Sequence, residues 1–403
     1  MIENALILAA GKGTRMWPFT ENSPKPLLPL GGLPIIERQI QELKKVGVTN
    51  VYILIGYRMK EISDYLDNAK LGLNINYLIQ EKQKGTGHAV NQAKGKISGY
   101  FYCLNGDVLV NSENLENLSN NKGKMTMMIA KVNDGRDFGV VESKNGHLLS
   151  IVEKGVNGEN MINAGIFLFN EGIFTAIDGI KKSIRGEYEL TDALQNISNK
   201  IHVLEYKGLW IDIGSPWNLI TANEEYMRNN SKNIEGTIED NVTCKGEIHL
   251  GKGSILKSGT YLEGPVWIGE NCVVGPNSYL RKGTVLCGKN KVGASTEVKN
   301  SILMKGSKAP HHNYVGDSII GENSNLGSGT KIANLRFDKK EIEVIHKGKK
   351  TDSRRIKLGA IIGNNVNTGI NASINAGSIL GNNVRVGPNT IVSGTYESQS
   401  TIV

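Results

Sequence analysis

Aromatic side chains make up only 6% of the 403 residues, and no basic stretch is interleaved with them. A stacking surface for bases is therefore missing, and nucleic acid is excluded as a partner despite a net charge of +8. Phosphorylated small molecules account for the same sign. The four cysteines, Cys103, Cys244, Cys272 and Cys287, stand far apart with no Cys-x-x-Cys pair. That argues against a zinc site or a disulfide framework and fits a reducing cytoplasm. No apolar run approaches the roughly 20 residues needed to cross a bilayer. The opening MIENALILAA runs straight into a glycine loop, so neither a signal peptide nor a membrane anchor is expected.

Glycine, by contrast, is abundant. The 48 glycines crowd into the second half and imply many tight turns there. The length exceeds one ordinary core, which predicts two domains, 1–230 and 235–403, joined by a polar segment around Arg228 to Asn233.

In the first half, Ala5 to Leu8 reads as a buried strand that gives way to a loop holding Gly11 and Gly13. Unshielded amides there suit phosphate, with Lys12, Arg15 and Lys25 adding charge and Pro24 and Pro26 stiffening the backbone around Lys25. Apolar spacing predicts a helix over 35–46, a strand over 51–55, a helix near 59–66, a strand over 75–79, a helix near 89–93 and a strand over 100–104. This is βαβ grammar, and the expected architecture is an α/β doubly wound, Rossmann-like sheet with ligands beyond the carboxyl ends of the strands.

The run LAAGKGTRM over 8–16, followed by SPKP over 23–26, resembles the signature of sugar-1-phosphate nucleotidylyltransferases and departs from both the dinucleotide and the Walker patterns. The resemblance implies that Leu8, Ala9, Ala10, Gly11 and Gly13 wrap the nucleotide and that Arg15 and Lys25 are catalytic cations. QEKQKGTGHA over 80–89 resembles the base-reading segment, implying nucleotide contacts at Gln80, Gly85 and Thr86, and it leans towards uridylyl rather than thymidylyl transfer. Asp107, ending LNGD, and Asp212, in WIDIG, fall where that family holds Mg²⁺. FGVV at 138–141, IVEK at 151–154 and INAG at 162–165 resemble the sugar-binding segments. They imply roles for Gly139, Glu153, Lys154 and Asn163, with Lys154 aimed at the sugar phosphate.

In the second half, apolar residues recur every six positions from Leu250 through Leu256, Leu262, Ile268, Val274, Leu280, Leu286 and Val292 to Val298. The register resumes at Ile320, Leu326 and Ile332, and again from Ile362 to Val392, where only Thr368 is not aliphatic. Period six fits neither helix nor ordinary strand, but it fits a parallel β-helix of hexapeptide repeats, left-handed by resemblance to its family. Two interruptions are expected, one at 305–315 and a basic one at 335–358.

The first interruption, KGSKAPHHNYV, together with the residues through Asn334, resembles the acetyltransferase segment of bifunctional N-acetylglucosamine-1-phosphate uridylyltransferase/glucosamine-1-phosphate acetyltransferases, and the longer basic insertion resembles their archaeal branch. Aligned through Tyr314 to Asp317, the resemblance implies His311 as the base and Tyr314, Asn325 and Asn334 as amino-sugar ligands. It also places the Ser328 amide at the thioester oxygen. The insertion's position directly after Asn334 puts Lys340 or its neighbours within reach of the sugar phosphate or the coenzyme A phosphates, and a contact of acetyl-CoA with Ile370 and Ala376, on the resumed coils, is expected through main-chain atoms only. His312 remains the alternative base if the alignment is off by one. The implied enzyme acetylates glucosamine-1-phosphate with acetyl-CoA and then couples the product to UTP with Mg²⁺, as a cytoplasmic homotrimer assembled through the β-helix.

Two alternatives stand beside this reading. One is a monofunctional nucleotidylyltransferase using dTTP or GTP, with the β-helix for assembly or regulation, and the other is a non-enzymatic scaffold subunit.

Overall fold

A computed structural model describes residues 2–121, 123–153, 156–228, 232–346 and 348–403. Its contacts divide the chain into two compact units: Met1–Lys12 with Ser23–Leu27 and Pro34–Ile213, and Gly13–Asn22 with Leu28–Leu33 and Gly214–Val403.

The first unit is built on a nine-stranded mixed sheet. Its strands are β1 (Asn4–Leu8), β2 (Asn50–Ile55), β3 (Asn74–Ile79), β4 (Phe101–Asn105), β5 (Met125–Val132), β6 (Gly139–Lys144), β7 (His147–Glu153), β8 (Asn160–Phe169) and β9 (Ile201–Glu205). They lie in the order β3-β2-β1-β4-β8-β5-β9-β7-β6. The four strands β3, β2, β1 and β4 are parallel, as the βαβ pattern requires. β8 runs antiparallel to both β4 and β5, which the sequence pattern did not reveal. Continuous apolar runs such as Ala5 to Ile7 are fully buried because helices cover both faces of the parallel half. Helices α1 (Ile35–Lys45), α2 (Met59–Ala69) and α3 (Thr86–Asn91) alternate with these strands. α3 starts at Thr86, earlier than apolar spacing alone suggests, since its first turn is polar and packs against Tyr188: the Gly87 amide donates to the Tyr188 carbonyl at 2.8 Å.

The second unit is a coil of short parallel strands on three faces, the parallel β-helix that the six-residue register implies, of the left-handed form expected from the resemblance. Rungs pair residues eighteen apart, as Ile248 with Val266 and Val266 with Thr284. Every aliphatic residue of the register points inward; Leu250, Leu262, Leu280, Val298, Ile320 and Leu380 are all fully buried in one continuous core. The small residues four positions later close the corners. The Ser254 hydroxyl donates to the Gly269 carbonyl at 2.6 Å and accepts the Cys272 amide at 2.7 Å. Buried hydroxyls at such corners satisfy backbone groups that no strand can reach.

One expectation is overturned. Residues 305–315 are not an exposed break, because Leu303, Ala309 and Val315 sit in the core and carry the register through. The rungs there are seventeen residues apart, Val285 with Ile302 and Ile302 with Ile319. Each of two coils has lost one residue at a corner, so a strict six-residue count loses step while the coil continues. The basic insertion is a true excursion: Ile319 pairs with Ile361, forty-two residues on, and the extra chain carries an antiparallel hairpin, Glu343–His346 with Lys349–Asp352.

Two other segments belong to this unit. Trp17 stacks on His346 with ring centroids 4.3 Å apart. The Glu21 carboxylate accepts hydrogen bonds from Trp17 Nε1 at 2.6 Å, Asn382 Nδ2 at 2.8 Å and Ser398 Oγ at 2.6 Å. Helix α4 (Pro216–Arg228) docks through Asn223, which accepts the Gly31 amide at 3.1 Å and donates to the Gly283 carbonyl at 3.2 Å.

Candidate active sites

In the first unit, Leu8 ends β1 between Leu54 and Asn105, and its carbonyl accepts the Gly106 amide at 3.0 Å. A side chain at Gly106 would collide with that carbonyl, which is why LNGD needs glycine before Asp107. Ala9 and Ala10 are buried and Gly11 is exposed. The Ala10 carbonyl accepts Gln83 Nε2 at 3.1 Å, closing the loop. Asp107 and Asp212 are brought together by an antiparallel bridge between Val108 and Asp212, and the Ile213 amide donates to the Asp107 carbonyl. Lys25 is buried and its ammonium lies 2.6 Å from Asp107 Oδ2. Gly13 and Arg15 belong to the second unit, and Arg15 is exposed.

Gln80 is buried at the end of β3, and its amide nitrogen donates to His88 Nδ1 at 2.9 Å. Burial, with a smaller push from Lys84, lowers the His88 pKa, keeping the ring neutral and able to accept. His88 lies in the segment that leans towards uridylyl transfer, but the sequence assigns it no role of its own, though it sits eight positions from Gln80 at the start of a helix. Gly85 adopts φ 106° and faces the Tyr188 backbone, so glycine is demanded there by packing as well as by any ligand. Thr86 Oγ1 accepts the Leu190 amide at 3.0 Å.

Among the residues expected to meet the sugar, Gly139 pairs with Glu153 across a hairpin. The Glu153 carboxylate lies 3.5 Å from Arg185, which also pairs with Glu189 at 2.9 Å. Burial, partly offset by Arg185, raises the Glu189 pKa. Asn163 Oδ1 accepts the Gly165 amide at 2.9 Å, at a register shift in β8 that re-aims the strand beside Asn105. Lys154 lies outside the described residues.

In the second unit the strand register assembles the residues. Tyr314 pairs with Lys331, and Lys331 with Ser373. Three positions before these lie His311, Ser328 and Ile370, one per coil, at one corner of the prism. The Gly329 amide donates to the His311 carbonyl at 3.0 Å, and the Asn371 amide to the Ser328 carbonyl at 2.8 Å. Three positions after them lie Asp317, Asn334 and Ala376, at the other corner of the same face. Asn325 sits on the adjoining face, bridged to Lys308 and Asn367. Lys340 is exposed, and its amide donates to Asp338.

His312 holds a left-handed corner (φ 51°), the position filled by Asn277, Ser295, Gly329, Asn371 and Asn389 in other coils. That backbone role accounts for His312, while His311 projects from the preceding, exposed position. Asn313, buried beneath, accepts the His311 amide at 3.1 Å and donates to the Gly327 carbonyl at 2.8 Å, holding the His311 backbone.

The hydroxyl of Tyr314 and the amide of Asn334 converge over Gly316, where any side chain would displace them. Burial raises the Tyr314 pKa, with Glu297 and Asp317 adding to it, so the phenol stays protonated. Lys299 reaches Asp317 at 3.1 Å, and Arg281 pairs with Glu297 at 2.9 Å, so two cations not picked out from the sequence lie by this face.

A doubly wound sheet with a cation and two carboxylates at its strand ends, and a β-helix with a histidine at the corner of a face that carries a tyrosine and an asparagine, define a two-site transferase. Residues 4–229 match the nucleotidyl transferase family model, and 262–347 match the GMPPB C-terminal domain. A bifunctional protein GlmU of Methanococcus vannielii is 42% identical over 384 residues, 92% of this chain and 90% of that one. A bifunctional sugar-1-phosphate nucleotidylyltransferase/acetyltransferase of Sulfurisphaera tokodaii is 43% identical over 382 residues, 92% of each. A crystal structure described as a glucose-1-phosphate thymidylyltransferase of Bacillus anthracis, with sucrose, is similar over 58% of this chain and 98% of that one (26% identity, TM-score 0.52). The chain belongs to the family of bifunctional sugar-1-phosphate nucleotidylyltransferase/acetyltransferases. No helix of the described residues is long and apolar enough to cross a membrane.

Proposed function

We propose that the chain acetylates glucosamine-1-phosphate with acetyl-CoA and then transfers a uridylyl group from UTP to the N-acetylglucosamine-1-phosphate so formed. In the first step the amino-sugar nitrogen attacks the thioester carbonyl, His311 takes the amine's proton, and the coenzyme A thiolate leaves. An imidazole is the side chain best suited to take a proton from an amine near neutral pH. Tyr314, Asn325 and Asn334 would hold the sugar, Lys299 and Arg281 join Lys340 as candidates for its phosphate, and the Ser328 amide would donate to the oxyanion. Ile370 and Ala376, on the next coil, would line the acetyl-CoA.

In the second step a sugar-phosphate oxygen attacks the α-phosphorus and the bond to the departing pyrophosphate breaks. No nucleophile of the protein is needed, so the work is positioning and charge neutralisation. Lys25 supplies charge from its buried place, and Arg15 adds a second cation by its position in the motif. Asp107 and Asp212 fit Mg²⁺, since two carboxylates with substrate phosphates and water complete the oxygen shell such an ion prefers. Mg²⁺ bound there would neutralise the triphosphate.

Gln80, Gly85 and Thr86 would read the base, and Gly139, Glu153, Lys154 and Asn163 the sugar. A cytoplasmic homotrimer through the β-helix completes the reading. Its support is the stacking of His311, Ser328 and Ile370 at one corner of the face that carries Tyr314. The test mixes the protein with acetyl-CoA, glucosamine-1-phosphate, UTP and Mg²⁺ and follows free thiol and pyrophosphate separately. Both are expected; pyrophosphate without thiol, when N-acetylglucosamine-1-phosphate is supplied, would reduce the β-helix to an assembly module.

A further inference from the structure

Among the described cations of the basic insertion, Arg355 is the one turned inward; Arg336, Lys339, Lys340, Lys349, Lys350, Arg354 and Lys357 are exposed. Its guanidinium donates to Thr221 Oγ1 at 2.7 Å and to Glu224 Oε1 at 2.6 Å on α4, and lies 3.9 Å from Asp317 Oδ1. Glu224 Oε1 also accepts Asn300 Nδ2 at 2.5 Å, and the same amide donates to Asp317 Oδ1 at 2.7 Å. Asp317 Oδ2 in turn accepts Asn334 Nδ2 at 2.5 Å and Lys299 Nζ at 3.1 Å.

The Asp317 side chain is only 3% exposed. A carboxylate so removed from water persists as an anion only with cations and donors around it. Its acceptor oxygen dictates which end of the Asn334 amide faces it. The nitrogen must turn to Asp317, and the carbonyl oxygen is left for a ligand's N–H or O–H. Burial alone would raise the Glu224 pKa, but the hydrogen bond and charge of Arg355 hold it below its ordinary value.

We propose that Arg355, anchored by Glu224, is a positioning residue for acetyl transfer, fixing through Asp317 the orientation of the Asn334 amide that receives the amino sugar. The inference rests on the acetyltransferase reading above. It gives the insertion a role at the site without asking its exposed lysines to reach a ligand.

The test measures acetyl transfer to glucosamine-1-phosphate for Arg355→Ala, Arg355→Lys and Glu224→Gln, with KM for each substrate separated from kcat. Arg355→Ala should raise KM for the amino sugar by about tenfold or more, the size expected when a buried hydrogen-bonded charge loses its partner. KM for acetyl-CoA and the rate of uridylyl transfer should stay within about twofold. Arg355→Lys or added guanidinium should restore part of the loss, and Glu224→Gln should show a smaller defect in the same constant. Unchanged amino-sugar KM in an active Arg355→Ala variant would overturn the inference alone. So would equal losses for both substrates and for uridylyl transfer, the mark of general destabilisation. A wild-type chain that transfers no acetyl group to any amino-sugar phosphate would overturn the functional reading and this inference with it.

Discussion

His88 shows how one residue can set a site's response to pH. It accepts from Gln80 only while neutral, and burial lowers its pKa below the ordinary 6.5. An unfolded chain therefore takes up a proton at His88 before the folded one does. The stabilising contribution is complete above about pH 6.5 and is lost as pH falls through the folded value. A protonated ring would also present N–H to the Gln80 amide nitrogen and turn the group proposed to read the base. UTP affinity, followed by calorimetry from about pH 7.5 to about pH 5.5, should weaken in the wild type below about pH 6.5. In His88→Asn the same fall should be flattened, and an equally steep fall in that variant would separate His88 from base reading. Neither His88 nor Asn313 stands out in the sequence, because each acts by holding a neighbour, and holding becomes visible only once a strand end or a coil register brings the two together. His311, Lys25 and Asp107 could be picked out because their motifs carry spacing.

At the scale of elements, the hexapeptide register was plain because one aliphatic residue per face is a demand repeated in every coil. It failed at 305–315 for a reason equally physical. Deleting one residue at a corner preserves the inward column yet breaks the count, so Ala309 and Val315 looked like parts of a loop. The antiparallel entry of β8 was hidden because a central strand buried on both faces reads the same in either direction. If the inward column carries the stability of the coil, truncating Leu286, fully buried, should cost about 2–5 kcal/mol, whereas truncating the exposed Lys291 should stay within about 0.5 kcal/mol. Urea denaturation of the two alanine variants, compared with the wild type, measures both. Similar midpoints would mean that the core does not run through this coil as described.

For the whole molecule, two chemistries share a chain whose compact units are not simple halves. Gly13–Asn22, which begins at the second glycine of the loop after β1, belongs to the same unit as the β-helix, where Glu21 meets Asn382 and Ser398. No composition or periodicity marks that association, since it depends on residues more than 360 positions apart. Even so, the residues proposed for each reaction are separable in principle: Lys25 would neutralise phosphate, and His311 would remove a proton from an amine.

The most direct measurement is a crossed assay of Lys25→Ala and His311→Ala, reading thiol release with glucosamine-1-phosphate and pyrophosphate release with N-acetylglucosamine-1-phosphate. Lys25→Ala should lose about 10²-fold or more in pyrophosphate release and keep acetyl transfer. His311→Ala should lose acetyl transfer by a similar factor, about 10²-fold or more, and keep pyrophosphate release. Near-normal thiol release by His311→Ala, or loss of both reactions in either variant, would contradict the assignment of two independent chemistries to these two residues.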